Sequence, residues 1–314
     1  MDRRASIHFR YFRGEAMDGV LLLHKPAGMT SHDCVMRIRK LFQTKKVGHT
    51  GTLDPDVSGV LPICIGKATK IVELLTAERK TYEGEVTLGI ATTTEDASGD
   101  IVSVKPIEQP IFRHDIERVF ANLTGDIEQV PPMYSAVKVN GKKLYEYARA
   151  GIDVERPKRN VHIFELLLLD DRQVFTGERI SFRFRVTCSK GTYVRTLAVQ
   201  IGERLGYPAH MSHLVRTASG PFTLDQCVAF ADIEQHVASG TAHTLLLPIE
   251  RALVHFPTYV MSKEEEKKVK HGALLPILPS MPERLLMVNE KGEALAIYMP
   301  HPTKQNYMKP LKVL

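Results

Sequence analysis

The sequence predicts an α+β fold: a larger domain that mixes strands and helices, followed by a small β-rich C-terminal domain. Three observations predict it. Tyr82, Val86 and Leu88 alternate with Glu83, Glu85 and Thr87, the pattern of a half-buried strand, and residues 180–188 alternate more cleanly still. A helical stripe of Val194, Leu197, Ala198, Ile201 and Leu205, closed by Gly206, follows that second strand. Strands and helices succeed one another without regular βαβ repetition, which disfavours a doubly wound sheet.

Taken in order, the elements begin at Met17. Val20-Leu21-Leu22-Leu23 reads as a buried strand that ends in a loop at His24-Lys25-Pro26. Ser31 is the expected N-cap of a helix whose inner positions are Val35, Ile38, Leu41 and Phe42. Near the other end, Ser262 and Glu265 form a capping-box pattern and Gly272 suits a helix end. Residues 285–298 read as two strands joined by the turn Asn289-Glu290-Lys291-Gly292. A β-rich domain from about His255 onward, with a tail made basic by Lys304, Lys309 and Lys312, is therefore expected.

Composition narrows the class. A chain of 314 residues, 43% hydrophobic and 25% charged, suits one large or two unequal globular domains. No apolar run approaches the ~18 residues of a membrane span, so no membrane partner is expected. Cys34, Cys64, Cys188 and Cys227 stand far apart with no CxxC pair. Reduced thiols in a cytoplasmic protein are the simpler reading than a disulfide scaffold or a zinc site. The formal charge of +6 hints at a polyanionic partner. Its clearest cluster is Arg37, Arg39, Lys40, Lys45 and Lys46 with His49, a stretch free of acids that suits either a solvated face or a polyanion contact.

Several chemistries lack their motifs. Gly66-Lys67 fails as a P-loop, because Leu61 and Ala68 occupy positions that need Gly and Ser or Thr. His210 and His213 lack the glutamate of a zincin, and neither GxSxG nor GxGxxG occurs. One segment does draw attention: Gly48-His49-Thr50-Gly51-Thr52-Leu53-Asp54-Pro55. Pro55 keeps Asp54 out of the helical region, so its carboxylate is presented from an extended or turn backbone. A turn in which Asp54 caps a neighbouring amide is the alternative.

That segment, with Ser58-Gly59-Val60-Leu61-Pro62 after it, resembles the active-site motif of TruB-type tRNA pseudouridine synthases of bacteria. Four further stretches extend the resemblance in order. Residues 21–31 resemble the N-terminal motif of that family, Lys80-Thr81-Tyr82 its second motif and Lys190-Gly191-Thr192-Tyr193-Val194-Arg195 its third. Pro131-Pro132 through Arg149 resembles its RNA-clamping insertion. His24 and the pair Asp56-Val57 depart from the commoner family residues, and Asp56 adds a second carboxylate beside Asp54.

The resemblance implies a catalytic domain over residues 17–254, built on a mixed, mainly antiparallel sheet with an insertion at about 124–160, a PUA-like RNA-binding domain over 255–314, and a flexible extension over 1–16. It implies Asp54 as nucleophile, attacking the ribose or the uracil ring or acting on a glycal-type intermediate. Arg195 becomes its ion-pair partner, since a nearby guanidinium holds a carboxylate ionised and oriented. Tyr82 would stack on the uracil and is a candidate for the proton step. His49 would fill the space of the flipped base, while Lys25, Pro26 and Leu214 would shape the pocket. Lys142, Lys143 and Arg149, interleaved with Tyr134, Tyr145 and Tyr147, would face the RNA. No cofactor and no metal are needed. The expected partner is the T-arm stem-loop of tRNA, at uridine 55, and a monomer is the expected state. The alternatives are a guide-RNA-dependent relative and a non-catalytic RNA-binding or RNA-folding protein of the same fold.

Overall fold

The computed structural model describes residues 17–314; the expected N-terminal extension, residues 1–16, lies outside the described residues. In chain order, β1 (Gly19–Lys25), α1 (Ser31–Leu41), β2 (Val47–His49) and β3 (Ser58–Ile65) lead to β4 (Lys80–Leu88) and a hairpin of β5 (Ile90–Thr92) and β6 (Ile101–Val104). Then come α2 (Arg113–Asn122), β7 (Gly125–Gln129), α3 (Leu144–Arg149), β8 (Arg159–Leu168), β9 (Ile180–Cys188), α4 (Val194–Leu205) and β10 (Ala209–Ser219). The chain ends with α5 (Phe230–Ser239), β11 (Thr258–Val260), α6 (Lys263–Lys270), β12 (Leu285–Val288), β13 (Ala294–Pro300) and β14 (Tyr307–Val313). The mixture of α and β is the class that the sequence predicts.

The chain forms two compact units. Among the described residues, one holds 17–56, Val60–Thr76 and Pro221–Leu314; the other holds Val57–Gly59 and Ala77–Gly220.

In the first unit β1 pairs antiparallel with Leu246–Leu247, and β2 pairs antiparallel with β3. Alternate residues of β1 serve two cores. Leu21 and Leu23 join Val35 and Ile38 of α1 and Ile233 of α5, whereas Val20 and Leu22 join Ile71 and Leu253. The C-terminal strands are divided the same way. Leu286, Val288 and Ile297 face the second of those cores, while Leu285, Met287 and Tyr298 pack with Val269 of α6. A strand buried on both faces needs apolar residues at every position, which accounts for the unbroken Leu285-Leu286-Met287-Val288. Tyr298 is fully buried, and its hydroxyl donates to the Ala273 carbonyl at 2.7 Å.

Two local expectations need correction. β1 does not stop at Leu23; it runs through Lys25, whose side chain is 0% exposed. The helix cap is Thr30, not Ser31. Thr30 Oγ1 accepts the Asp33 N–H at 3.0 Å, and the Asp33 carboxylate accepts the Thr30 N–H at 2.9 Å. The Thr30 hydroxyl also donates to that carboxylate and helps hold its pKa below the ordinary value. Ser31 is the first helical residue, and its hydroxyl is engaged elsewhere. It accepts the Leu53 N–H at 2.9 Å and donates to the Leu53 carbonyl at 3.2 Å. Other expected caps match the structure: Ser262 with Glu265 opens α6, and Gly206 closes α4 with φ +84°.

The second unit is an antiparallel sheet in the order β10-β4-β9-β8-β7. Helix α4 packs on β10 and β4, and its Leu197, Ala198 and Ile201 are buried. Ser58 and Gly59, the first residues of β3, pair in parallel with Val215 and Arg216 of β10. Gly59 has φ +121°, and a Cβ there would stand 2.2 Å from the Arg216 carbonyl oxygen. Only glycine fits so close an approach of two backbones.

Replacing Ser31 by alanine is expected to cost about 1–3 kcal/mol in urea unfolding. The helix tolerates alanine, but the buried Leu53 N–H loses its acceptor. An unchanged unfolding midpoint would show that this bond does not contribute.

Candidate active site

The segment carrying Asp54 is held on both sides. Before it, Leu53 is buried and tied to Ser31 through both backbone groups. After it, the Pro55 carbonyl accepts the Lys25 ammonium at 2.9 Å and the Gly28 N–H at 2.9 Å. Lys25 also donates to the Pro26 carbonyl at 2.9 Å. A buried ammonium must find acceptors, and here one of the two lies on the segment that follows the carboxylate. Asp54 is half-buried, whereas Asp56 is exposed. His49, on β2, is half-buried and its Nδ1 accepts the Gly51 N–H at 3.2 Å, which folds the segment back on itself.

In the second unit, Tyr82 and Leu214 lie on one face of the sheet. Residues 80, 82, 84, 86 and 88 of β4 share that face, because side chains alternate along a strand. Cross-strand partners form rows: Leu214, Gly84 and Phe184; Arg216, Tyr82 and Val186; Ser219, Lys80 and Cys188. Gly84 makes the first row possible. A Cβ there would lie 2.8 Å from Leu214 Cδ1 and 2.9 Å from Phe184 Cζ. Tyr82 is half-buried beside Arg216, which is only 1% exposed.

Lys80 and Cys188 are also buried in this face. Lys80 donates to the Glu78 carbonyl at 2.7 Å. Burial, together with the positive Arg216, lowers its pKa to about 8. Burial pushes the Cys188 thiol up to about 11 and the Cys64 thiol to about 12, so neither is a ready nucleophile.

Arg195 lies in the first turn of α4 and is 4% exposed. Its Nη1 donates to the Thr94 carbonyl at 3.0 Å and lies 3.6 Å from Asp96 Oδ2. Its Nη2 donates to the Tyr134 carbonyl at 2.9 Å. Thr94 and Asp96 belong to the turn between β5 and β6, and Tyr134 to the insertion. The guanidinium thus joins three separate stretches of the second unit.

The chain is similar to known proteins over most of its length. Residues 39–194 match the N-terminal domain of the TruB family pseudouridylate synthases, and residues 195–254 match the C-terminal domain of tRNA pseudouridylate synthase B. The tRNA pseudouridine synthase B of Geobacillus thermodenitrificans is 65% identical over 300 residues, covering 95% of this chain and 99% of that protein. The chain belongs to the TruB family of pseudouridylate synthases. The protein of the same name from Geobacillus kaustophilus is 69% identical over 269 residues, 86% of this chain and 94% of that one. Among solved structures, a chain of a Cbf5–Nop10–Gar1 complex superposes with a TM-score of 0.71 at 30% identity, covering 92% of this chain and 80% of that chain. A chain of an H/ACA ribonucleoprotein bound to a substrate RNA containing 2′-deoxyuridine gives 0.70 at 26%, covering 95% and 85%.

For a TruB-family chain, the placement of the remaining candidates is informative. Lys142 is exposed on a two-residue strand, Lys143 is half-buried and Arg149 is exposed at the end of α3. Lys143 Nζ and the Arg149 guanidinium lie 5.4 and 5.3 Å from the ring centre of Tyr145, so cations and aromatic ring form one cluster. Among the described residues no group of three His, Cys, Asp or Glu side chains is placed to hold a metal ion. No helix among them is long and apolar enough to cross a membrane.

Sequence reasoning missed Asp96, Thr94 and the Tyr134 carbonyl. Nothing in residues 93–100 matches a catalytic motif, and a backbone carbonyl has no signature in a sequence. Arg216 did carry a signal. It stands two residues after Leu214 in a strand, hence on the same face.

Lys80 gives a pH test. Its folded-state pKa of about 8 lies below the ordinary 10.5. Between those values the unfolded chain holds a proton that the folded chain does not, so this group makes stability rise with pH. The urea midpoint of the wild type, measured against Lys80→Met, is expected to climb from about pH 8 to about pH 10. Parallel profiles would contradict the assignment.

Proposed function

We propose that this chain isomerises uridine 55 in the T-arm loop of tRNA to pseudouridine, with Asp54 as nucleophile. Family membership and the name tRNA pseudouridine synthase B borne by relatives at 65–69% identity support the tRNA substrate. The observation that carries the nucleophile assignment is the mounting of Asp54. It is a half-buried carboxylate between Leu53, tied to Ser31, and Pro55, tied to Lys25.

The reaction breaks the bond from C1′ to N1, turns the uracil and joins C1′ to C5. The C5 proton leaves and N1 gains one, so nothing is oxidised and no energy donor is needed. What the protein must supply is a fixed nucleophile, a base for the C5 proton and a site closed to water. Asp54 acts as that nucleophile. Arg195 is its cationic partner, already desolvated and held by its other bonds. Tyr82 stacks on the uracil and is the candidate for the proton step. The uridine must first be extruded from its loop. His49 takes the vacated space, and Lys25, Pro26 and Leu214 bound the pocket. Lys142, Lys143 and Arg149 hold RNA phosphates, with Tyr145 between the latter two. The protein works as a monomer in the cytoplasm, and the C-terminal strands serve as a second, PUA-like RNA-binding element.

Tritium release from C5-labelled uridine in a T-arm stem-loop tests this reading. Wild type is expected to turn over, and Asp54→Asn to bind the RNA but release tritium roughly a thousandfold more slowly or worse. Full turnover by that variant would move the nucleophile to Asp56.

Arg195→Lys is expected to lose about ten- to a hundredfold in turnover, because one point charge cannot serve acceptors spread over a planar fork. Unchanged turnover would remove Arg195 from the mechanism.

A further inference from the structure

The turn that grips Arg195 contains an unusual residue. Glu95 has φ +64°, a left-handed conformation that costs a residue such as glutamate, whose Cβ crowds the backbone there, and costs glycine little. It stands between the two residues that bind the guanidinium. Thr94 before it supplies a carbonyl to Arg195 Nη1 at 3.0 Å, and Asp96 after it brings a carboxylate to 3.6 Å from the same atom. The left-handed residue in the middle reverses the chain at that point, so that both neighbours reach one nitrogen.

Glu95 is itself tied to three elements. Its carboxylate accepts the Thr196 hydroxyl at 2.7 Å, on the residue next to Arg195 in α4. Its carbonyl accepts the Met211 N–H of β10 at 3.0 Å. Its N–H donates to the Thr92 carbonyl of β5 at 3.3 Å. A glycine would relieve the backbone, yet a half-buried carboxylate is kept there and bonded to the helix that bears the arginine.

We propose that Glu95 is a positioning residue for Arg195: its bond to Thr196 pins the Thr94–Asp96 turn against α4 and so fixes the guanidinium for catalysis. This rests on the reading of Arg195 as catalytic. Glu95 needs no contact with the RNA. Burial raises its pKa, and its surroundings include Arg195 and Glu203 of α4, Arg156 before β8, and Asp96 in its own turn. The bond to Thr196 operates with the carboxylate as acceptor, a role the amide oxygen of glutamine can also fill.

The test measures kcat and KM for a T-arm stem-loop by tritium release, and thermal stability, in Glu95→Ala, Glu95→Gly, Glu95→Gln and Thr196→Val. Glu95→Ala and Glu95→Gly are expected to lose about tenfold or more in kcat with KM within about twofold of wild type. Glu95→Gly should keep or raise the thermal midpoint, because it relieves the backbone. Falling activity with undiminished stability separates positioning from simple fold support. Glu95→Gln should keep kcat within about threefold. Thr196→Val removes the same bond from the helix side and should match Glu95→Ala, and the double variant should lose no more than either single one. Wild-type kcat in Glu95→Gly, a loss confined to KM, additive losses in the double variant, or a Gln variant as slow as Ala would each overturn the proposal. Arg195→Ala is the control: if it turns over at the wild-type rate, the catalytic reading of Arg195 fails, and this inference with it.

Discussion

A guanidinium withdrawn from water has to be surrounded by acceptors, because an uncompensated buried charge costs several kcal/mol. Arg195 meets that demand with the Thr94 and Tyr134 carbonyls and the Asp96 carboxylate. The consequence is architectural. The turn between β5 and β6 and the base of the insertion must both reach the first turn of α4. Loops are normally the most variable parts of a fold, and here two of them are bound to one buried charge.

The same logic operates at Lys25, whose ammonium ties the Pro26 carbonyl beside it to the Pro55 carbonyl just after Asp54. In both cases a cation orders irregular backbone that no ladder would order. Strands and helices satisfy their own polar groups; the loops that carry chemistry do not, and buried lysine and arginine do it for them. At Lys80 and Arg216 two cations share one sheet face, and burial first, with the positive Arg216 second, lowers the lysine pKa.

Charge distribution looks different once partners are known. The basic stretch before the Asp54 segment is not a uniform patch. Arg37 pairs with Glu234 at 2.6 Å and stacks 4.2 Å over the Phe230 ring, and Arg39 donates to the Val47 carbonyl. Lys40, Lys45 and Lys46 are exposed. Two of the five cations therefore fasten α1 to its neighbours, and the three lysines carry the exposed charge. Arginine is the residue suited to the internal task, since its planar fork bonds and stacks at once.

Much of the fold was legible in the sequence. Alternation located β4 and β9, the 3.6-residue stripe located α4 with its glycine cap, and the Ser262–Glu265 pair located α6. These signals are local: a strand or helix writes its own period into neighbouring residues. The resemblance in five ordered stretches likewise identified the family and singled out Asp54, Tyr82 and Arg195. Errors arose where adjacent residues compete. Thr30 and Ser31 both carry hydroxyls, and only the distant Leu53 decides which one caps the helix. His24-Lys25 reads as the end of a strand until the Pro26 and Pro55 carbonyls supply the buried ammonium with acceptors. Tertiary structure alone decided what holds Arg195 and why Glu95 sits left-handed beside it. The physical reason is that the acceptors are largely backbone carbonyls. Every residue has one, so no residue type in the sequence marks which of them a buried cation will use.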